Sequence, residues 1–249
     1  MLFNELVQAR KLLDRDERLP LLSDKVLVKR FVAERIGPSW VTPTLWHGSR
    51  LPAAAPWKLP FVLKSRHGSN QTAFVRSASE DWSAVQKRAE KWQRSAYGLW
   101  LDEWAYRHIE RGLLVEPFIG TDGVLPVDYK FFVFGGRVEF VQVHLNRESA
   151  HRRVIFNRAW RRVSAERHKR EAFEELPPPS SLPLMIEAAE ALAVETDFVR
   201  VDLYDTKPHP SFGELTFYPG SGLDPFEPRS LDALFGTYWL QARSTRPTW

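Results

Sequence analysis

The 249 residues carry 35 basic and 31 acidic side chains, a net charge of +4, with 43% hydrophobic and 27% charged residues. That balance excludes wholesale disorder and gives enough apolar material for one domain or two lobes of roughly 100 residues each. No apolar run approaches the roughly 20 residues needed to cross a bilayer, and the absence of cysteine excludes disulfides and thiolate zinc sites. Met1 to Arg10 lacks the apolar core of a secretory leader and charges follow at once from Lys11 to Arg18, so a cytoplasmic location is expected.

Phe3 to Leu13 has helical spacing at Leu6, Val7, Ala9, Arg10 and Leu13 and reads as a short packing helix. Asp24 is placed to cap a second helix reaching about Arg35, which Gly37 and Pro38 close; Trp40 to Trp46 then reads as extended. Leu59 to Lys64 is a buried strand ending in lysine. His67 to Asn70 is a polar turn, and Ala73 to Arg76 a further short strand. Asp81 caps a helix with Val85, Ala89 and Trp92 on its inner face, and Leu113 to Ile119 is another strand.

Asp128 to Phe134 and Arg137 to Leu145 flank Gly135-Gly136, a dipeptide suited to a two-residue hairpin turn. A regular register pairs Phe131 with Phe140 and Val133 with Val138, leaving Asp128 and Lys130 on the opposite face. Residues 164 to 181 read as an exposed charged helix followed by a stiff connector at Pro177 to Pro179. Leu182 to Val194 and Ser230 to Gln241 read as helices. Ten basic residues between His151 and Arg170 suit either a solvated face or an anionic substrate.

The most informative stretch is Phe198 to Pro228. Alternation along a strand sets Arg200 and Asp202 on one face. If Ser211 to Phe217 returns antiparallel, Glu214 and Thr216 face them at about 5 Å. Two carboxylates that close repel, and a divalent cation that takes oxygen ligands relieves the repulsion. Surface charges on an edge hairpin are the plainer alternative.

In order and character, Lys29 in DKVLVK, Lys64 ending FVLK, Glu116 in VEPFI and the Arg200/Asp202/Glu214 set resemble the ATP-grasp fold. The closest likeness is to the teichuronopeptide-biosynthesis (TupA-like) ATP-grasp family, through Asp128 to Phe132 (DYKFF) and Phe212 to Phe217 (FGELTF), over about residues 23 to 228. The resemblance implies an α+β chain of two lobes clasping a nucleotide between antiparallel sheets. The implied segments are an N-terminal helical segment 1–50, a first ATP-grasp lobe 51–118 and a second lobe 119–249 carrying the metal hairpin. D-Ala-D-Ala-type ligases have a DKxxxK pattern similar to Asp24, Lys25 and Lys29. By that likeness Lys29 and Lys64 face the ATP phosphates, His67 and Ser69 lie in the loop covering them, and Glu116, Pro117 and Phe118 receive adenine. Asp128 then takes the ribose hydroxyls, Lys130 and Arg200 stabilise the transferring phosphoryl group, and Asp202, Glu214 and Thr216 hold Mg²⁺. Asn70 stands where the family often has glycine, and Thr216 where many members have asparagine.

The implied activity is an ADP-forming carboxylate-amine ligase that works through an acyl phosphate, in surface-polymer or secondary-metabolite assembly. Its cofactors would be ATP and Mg²⁺, and its partners small carboxylates and amines, anionic or saccharide-linked. An ATP-grasp phosphotransferase acting on a hydroxyl is the alternative within the fold. A non-catalytic or nucleic-acid-binding module using Arg152 to Arg170 is the alternative outside it, although Trp82, Trp92 and Trp100 sit in apolar patterns that suit core packing.

Overall fold

A computed structural model describes residues 1–146, 148, 151–163, 176–193 and 195–245. The chain forms two compact units, Lys11–Leu125 and Met1–Arg10 with Pro126–Trp249. The first helix, α1 (Phe3–Leu13), gives its opening residues to the later unit. Among the described residues, no helix is long and apolar enough to cross a membrane.

In Lys11–Leu125, short helices α2 (Arg18–Ser23) and α3 (Val28–Ile36) precede a four-stranded sheet. Its strands are β1 (Trp46–Gly48), β2 (Phe61–Ser65), β3 (Thr72–Val75) and β4 (Leu113–Pro117), in the order β1-β4-β2-β3, all antiparallel. α3 starts three residues later than a helix capped by Asp24 would. The Asp24 carboxylate accepts from the backbone N–H groups of Val26 and Leu27 and so shapes the turn before the helix. Trp40 closes a 3₁₀ turn, Pro38–Trp40, so the extended segment expected from it shrinks to β1. β2 puts Phe61 and Leu63 against α4 (Trp82–Arg94), which Asp81 caps as expected by accepting from Ala84 N–H. Val85, Ala89 and Trp92 complete that core. The alternate face of β2 is left to Val62 and Lys64. A one-turn helix, α5 (Trp104–Arg107), precedes β4. Trp100, expected in the core, is 87% exposed.

In the other unit, β5 (Asp128–Phe134), β6 (Arg137–Leu145), β7 (Arg152–Asn157), β8 (Phe198–Tyr204) and β9 (Ser211–Thr216) form an antiparallel sheet in the order β7-β6-β5-β8-β9. β7 is a strand that the surrounding arginines masked in the sequence; Val154, Ile155 and Phe156 are its buried residues. The expected helix over 164–181 falls largely on 164–175, outside the described residues. The hairpin turn is at Gly135-Gly136, both with positive φ, but a bulge at Phe132/Val133 breaks the regular register. Phe131 pairs with Val141 and Phe132 with Phe140, rather than Phe131 with Phe140. β5 is buried along its whole length because both faces are covered. α6 (Leu182–Leu192) packs on one face. On the other, Phe132, Phe134 and Phe198 meet Phe3 of α1 and Phe235 of α7 (Ser230–Ser244) in an aromatic cluster.

Asp197 ties these pieces together. It pairs with buried Arg10 and accepts from Trp239 Nε1 and Arg243 Nε, each at 2.7 Å, and from Phe198 N–H. Burial works against its charge, but Arg10, Arg243 and the Trp239 hydrogen bond win and hold its pKa below the usual carboxylate value. A carboxylate depressed in the folded state stabilises above its unfolded pKa, and the contribution is lost as pH falls through the folded one. Asp197→Asn leaves Arg10 buried without its countercharge and is expected to cost about 3 kcal/mol in urea unfolding at neutral pH. The difference from the parent protein should shrink below about pH 4.

Candidate nucleotide and metal sites

Each unit carries one cluster of charged side chains on a sheet face. In Lys11–Leu125 the register sets Val62 opposite Glu116 and Lys64 opposite Leu114, so Lys64 and Glu116 are diagonal neighbours on the face away from α4. Glu116 is buried and holds two ammonium groups, Lys29 Nζ at 2.5 Å on one oxygen and Lys64 Nζ at 2.6 Å on the other. Lys29 also donates to Thr42 O and Thr44 Oγ1. Burial lowers the Lys29 pKa, which Glu116 only partly offsets. The Glu116 carboxyl, despite burial, is held below its ordinary value by Lys64 and Lys29. The three residues that the sequence set in separate segments are therefore one cluster.

Beside it, Phe118 N–H donates to Pro60 O at 3.2 Å, and the Phe118 ring meets Phe74 edge-on. The Arg76 guanidinium lies over both rings at 5.3 and 5.4 Å. Phe74 and Arg76 were not singled out from the sequence, although alternation along β3 puts Phe74 opposite Val62 on this face. His67 does not lie in an exposed covering loop. It is buried, with Nε2 donating to Trp92 O at 3.2 Å and Nδ1 accepting from Gly112 N–H; burial lowers its pKa. Ser69 and Asn70 are the turn residues beyond it, and Asn70 adopts φ +57, the left-handed conformation that glycine or asparagine tolerates.

In the other unit, three strands build the second cluster. β5 and β9 flank β8, and the pairs Lys130–Asp202–Glu214 and Phe132–Arg200–Thr216 lie in successive rows. β9 is the edge strand of the sheet, but β8 is an interior strand and Asp202 is buried. Gly213 allows the approach, since a Cβ there would sit 2.9 Å from Asp202 O, where the register slips by one residue. Arg200 grips Asp202 with Nε and Nη2 at 2.7 and 2.8 Å, and Nη2 reaches Glu214 at 3.3 Å and Thr216 Oγ1 at 3.1 Å. Lys130 pairs with Asp202 and, at 2.9 Å, with Asp128. Burial works against the Arg200 charge, but Asp202, Glu214 and Asp128 raise its pKa and keep it ionised. Within this set three carboxylates face two cations.

The donors fit Mg²⁺ by chemistry. Asp202, Glu214 and Thr216 offer only oxygen, with Thr216 Oγ1 3.0 Å from Glu214 Oε1, and Mg²⁺ binds through one or two carboxylates plus phosphates and water. Among the described residues, no group of three or more His, Cys, Asp or Glu side chains is placed to hold a metal ion by itself. Arg200 and Lys130 now take the oxygens that such an ion needs.

The family described as TupA-like ATPgrasp matches residues 5–240. The chain belongs to the TupA-like ATP-grasp family. Among solved structures, it is similar to the VanG D-Ala:D-Ser ligase from Enterococcus faecalis at 15% identity and a TM-score of 0.55, covering 90% of this chain and 61% of that one. An L-amino acid ligase from Bacillus licheniformis gives 16%, 0.53, 89% and 50%. A D-alanine-D-alanine ligase from Bacillus anthracis gives 11%, 0.52, 90% and 65%. At these identities the likeness shows the α+β ATP-grasp fold, and this TupA-like chain spans half to two-thirds of their length. No curated protein sequence matches it.

Glu116→Gln should leave Lys29 and Lys64 without their shared carboxylate and lower thermal stability by the equivalent of about 3 kcal/mol. Because Glu116 titrates below its unfolded value, wild-type stability from this cluster is present above about pH 4.3 and lost below it. Differential scanning calorimetry across pH 3 to 8 reads both effects.

Proposed function

We propose that this TupA-like ATP-grasp chain is an ADP-forming ligase that joins a carboxylate to an amine through an acyl phosphate. The observation that carries the proposal is the β5-β8-β9 cluster in a chain of this family: Asp202 and Glu214 share a sheet face with Arg200 and Lys130. Family membership and the fold it shares with amide-forming ligases support the same reading. Its pathway, in surface-polymer or secondary-metabolite assembly, follows from the family name alone.

In this reading, Lys29 and Lys64 turn from Glu116 to phosphate oxygens, and the Glu116 to Phe118 backbone receives adenine. Asp128 accepts the ribose hydroxyls. Asp202 and Glu214, with the Thr216 hydroxyl, would hold Mg²⁺. When bound, the ion supplies charge neutralisation across the ATP phosphates. Arg200 and Lys130 then face the phosphoryl group as it passes to the substrate carboxylate and stabilise its equatorial oxygens. The absence of cysteine is no obstacle, because acyl phosphate chemistry needs no enzyme nucleophile.

Purified protein given ATP, Mg²⁺ and pools of amino acids and sugar acids should release ADP only when carboxylate and amine are both present. Release with an alcohol acceptor and no amine would favour a phosphotransferase instead. Asp202→Asn and Glu214→Gln should each lower ATP turnover at least about 1,000-fold, as expected for loss of a phosphate-clamping metal, assayed well below each variant's own unfolding temperature because Asp202→Asn also removes a countercharge from buried Arg200 and Lys130. Near-normal turnover in both would remove the assignment.

A further inference from the structure

Of the pattern Asp24, Lys25 and Lys29, only Lys29 joins the cluster on the sheet, through Glu116. Asp24 and Lys25 meet the segment that joins β2 to β3 instead. Lys64 stands directly opposite Thr72 where these strands part, so the loop Arg66 to Gln71 springs from the row that carries Lys64. Ser65 N–H donates to Gln71 O at 2.9 Å and closes the loop at its base.

The first half of this loop is gripped from outside. Buried Asp24 accepts from Arg66 Nε with both oxygens, at 2.9 and 2.7 Å. The Lys25 ammonium donates to Gly68 O at 2.5 Å. Arg66 N–H donates to Gly112 O at 2.8 Å, and its guanidinium also reaches Glu110 at 2.5 Å. With His67 tied to Trp92 O and Gly112 N–H, residues 66–68 are held from three separate stretches of chain. The loop's own interior supplies no such hold. Among the described residues, Ser65 Oγ and Gln71 Oε1 are buried with no hydrogen-bond partner. Both crowd the space beside Gly68, where a Cβ would sit 3.0 and 2.5 Å from them. Unpartnered buried polar atoms cost stability, so the loop keeps this shape because its outer ties hold it. The Lys25 bond is the last of these ties before the tip, Ser69 and exposed Asn70.

We propose that Lys25 is a positioning residue: by holding the Gly68 carbonyl it sets the β2–β3 loop for the nucleotide phosphates. This rests on the ligase reading above, in which Lys64 meets phosphate. Lys25 then acts through the backbone and not on the phosphates themselves. The pattern divides its work, with Asp24 and Lys25 fixing the covering chain and Lys29 reaching the ligand. Peptide N–H groups of a turn are donors suited to phosphate oxygens. A loop fixed before binding loses less conformational freedom when it takes up its ligand.

The test compares Lys25→Met, Lys25→Ala and Lys25→Arg with the wild type in the full chain, with Mg²⁺, below each protein's unfolding temperature. ATP is titrated by calorimetry and AMP by ligand-observed NMR, which reads weak binding. The Met and Ala variants should bind ATP about 10-fold more weakly and AMP as the wild type does, since AMP lacks the outer phosphates. Lys25→Arg, which still carries donors for the Gly68 carbonyl, should restore ATP binding. Without nucleotide, amide hydrogen exchange at residues 68–71 should quicken in Lys25→Met, which reads the loop apart from any ligand. Unchanged ATP affinity, equal weakening of ATP and AMP, or unaltered exchange at 68–71 overturns the proposal. A wild-type protein that binds neither nucleotide removes the ligase reading itself, and the proposal falls with it.

Discussion

Asp202 is the residue around which the later unit is organised. A buried carboxylate is tolerated only where cations and hydrogen bonds replace lost water. Here Arg200 comes from two residues away on the same strand and Lys130 from the strand alongside. The β5-β8 pairing and strand alternation place Arg200, Asp202 and Lys130 on one face. The bulge at Gly213 falls where Glu214 stands opposite Asp202. The far end of this face is closed by the aromatic cluster around Phe132 and Phe198, so charge and apolar packing divide one sheet surface between them.

The Lys11–Leu125 unit solves the opposite problem with the same means. Two ammonium groups are drawn onto one buried carboxylate, Glu116, and the resulting pull lowers the carboxyl pKa while burial lowers that of Lys29. In each unit a buried charged set is balanced by ion pairs within that same unit. Such pairs hold their side chains in place at little net gain in stability, because desolvation consumes most of the attraction.

Much of this was legible in the sequence where local rules decide. The Gly135-Gly136 turn, the Asp81 cap and the shared face of Arg200, Asp202, Glu214 and Thr216 all follow from spacing of two or of three to four residues. Non-local pairings were not legible. Nothing near Asp202 announces that β5 will lie beside β8, nor anything near Glu116 that Lys29 will reach it from a helix. The arginines around Val154 to Phe156 hid β7. His67 looked like a loop residue because a polar turn surrounds it; its burial depends on Trp92 and Gly112, which lie 25 and 45 residues away.

The central claim is that Asp202 and Glu214 exchange their cationic partners for a divalent ion when nucleotide binds. Crystals grown with ADP and Mn²⁺, measured at the manganese edge, test it directly. The account predicts an anomalous peak within coordination distance, about 2.2 Å, of both carboxylates, with Arg200 Nη2 withdrawn from Glu214. ADP bound with no manganese at these two residues, and the Arg200 contacts unchanged, would contradict it.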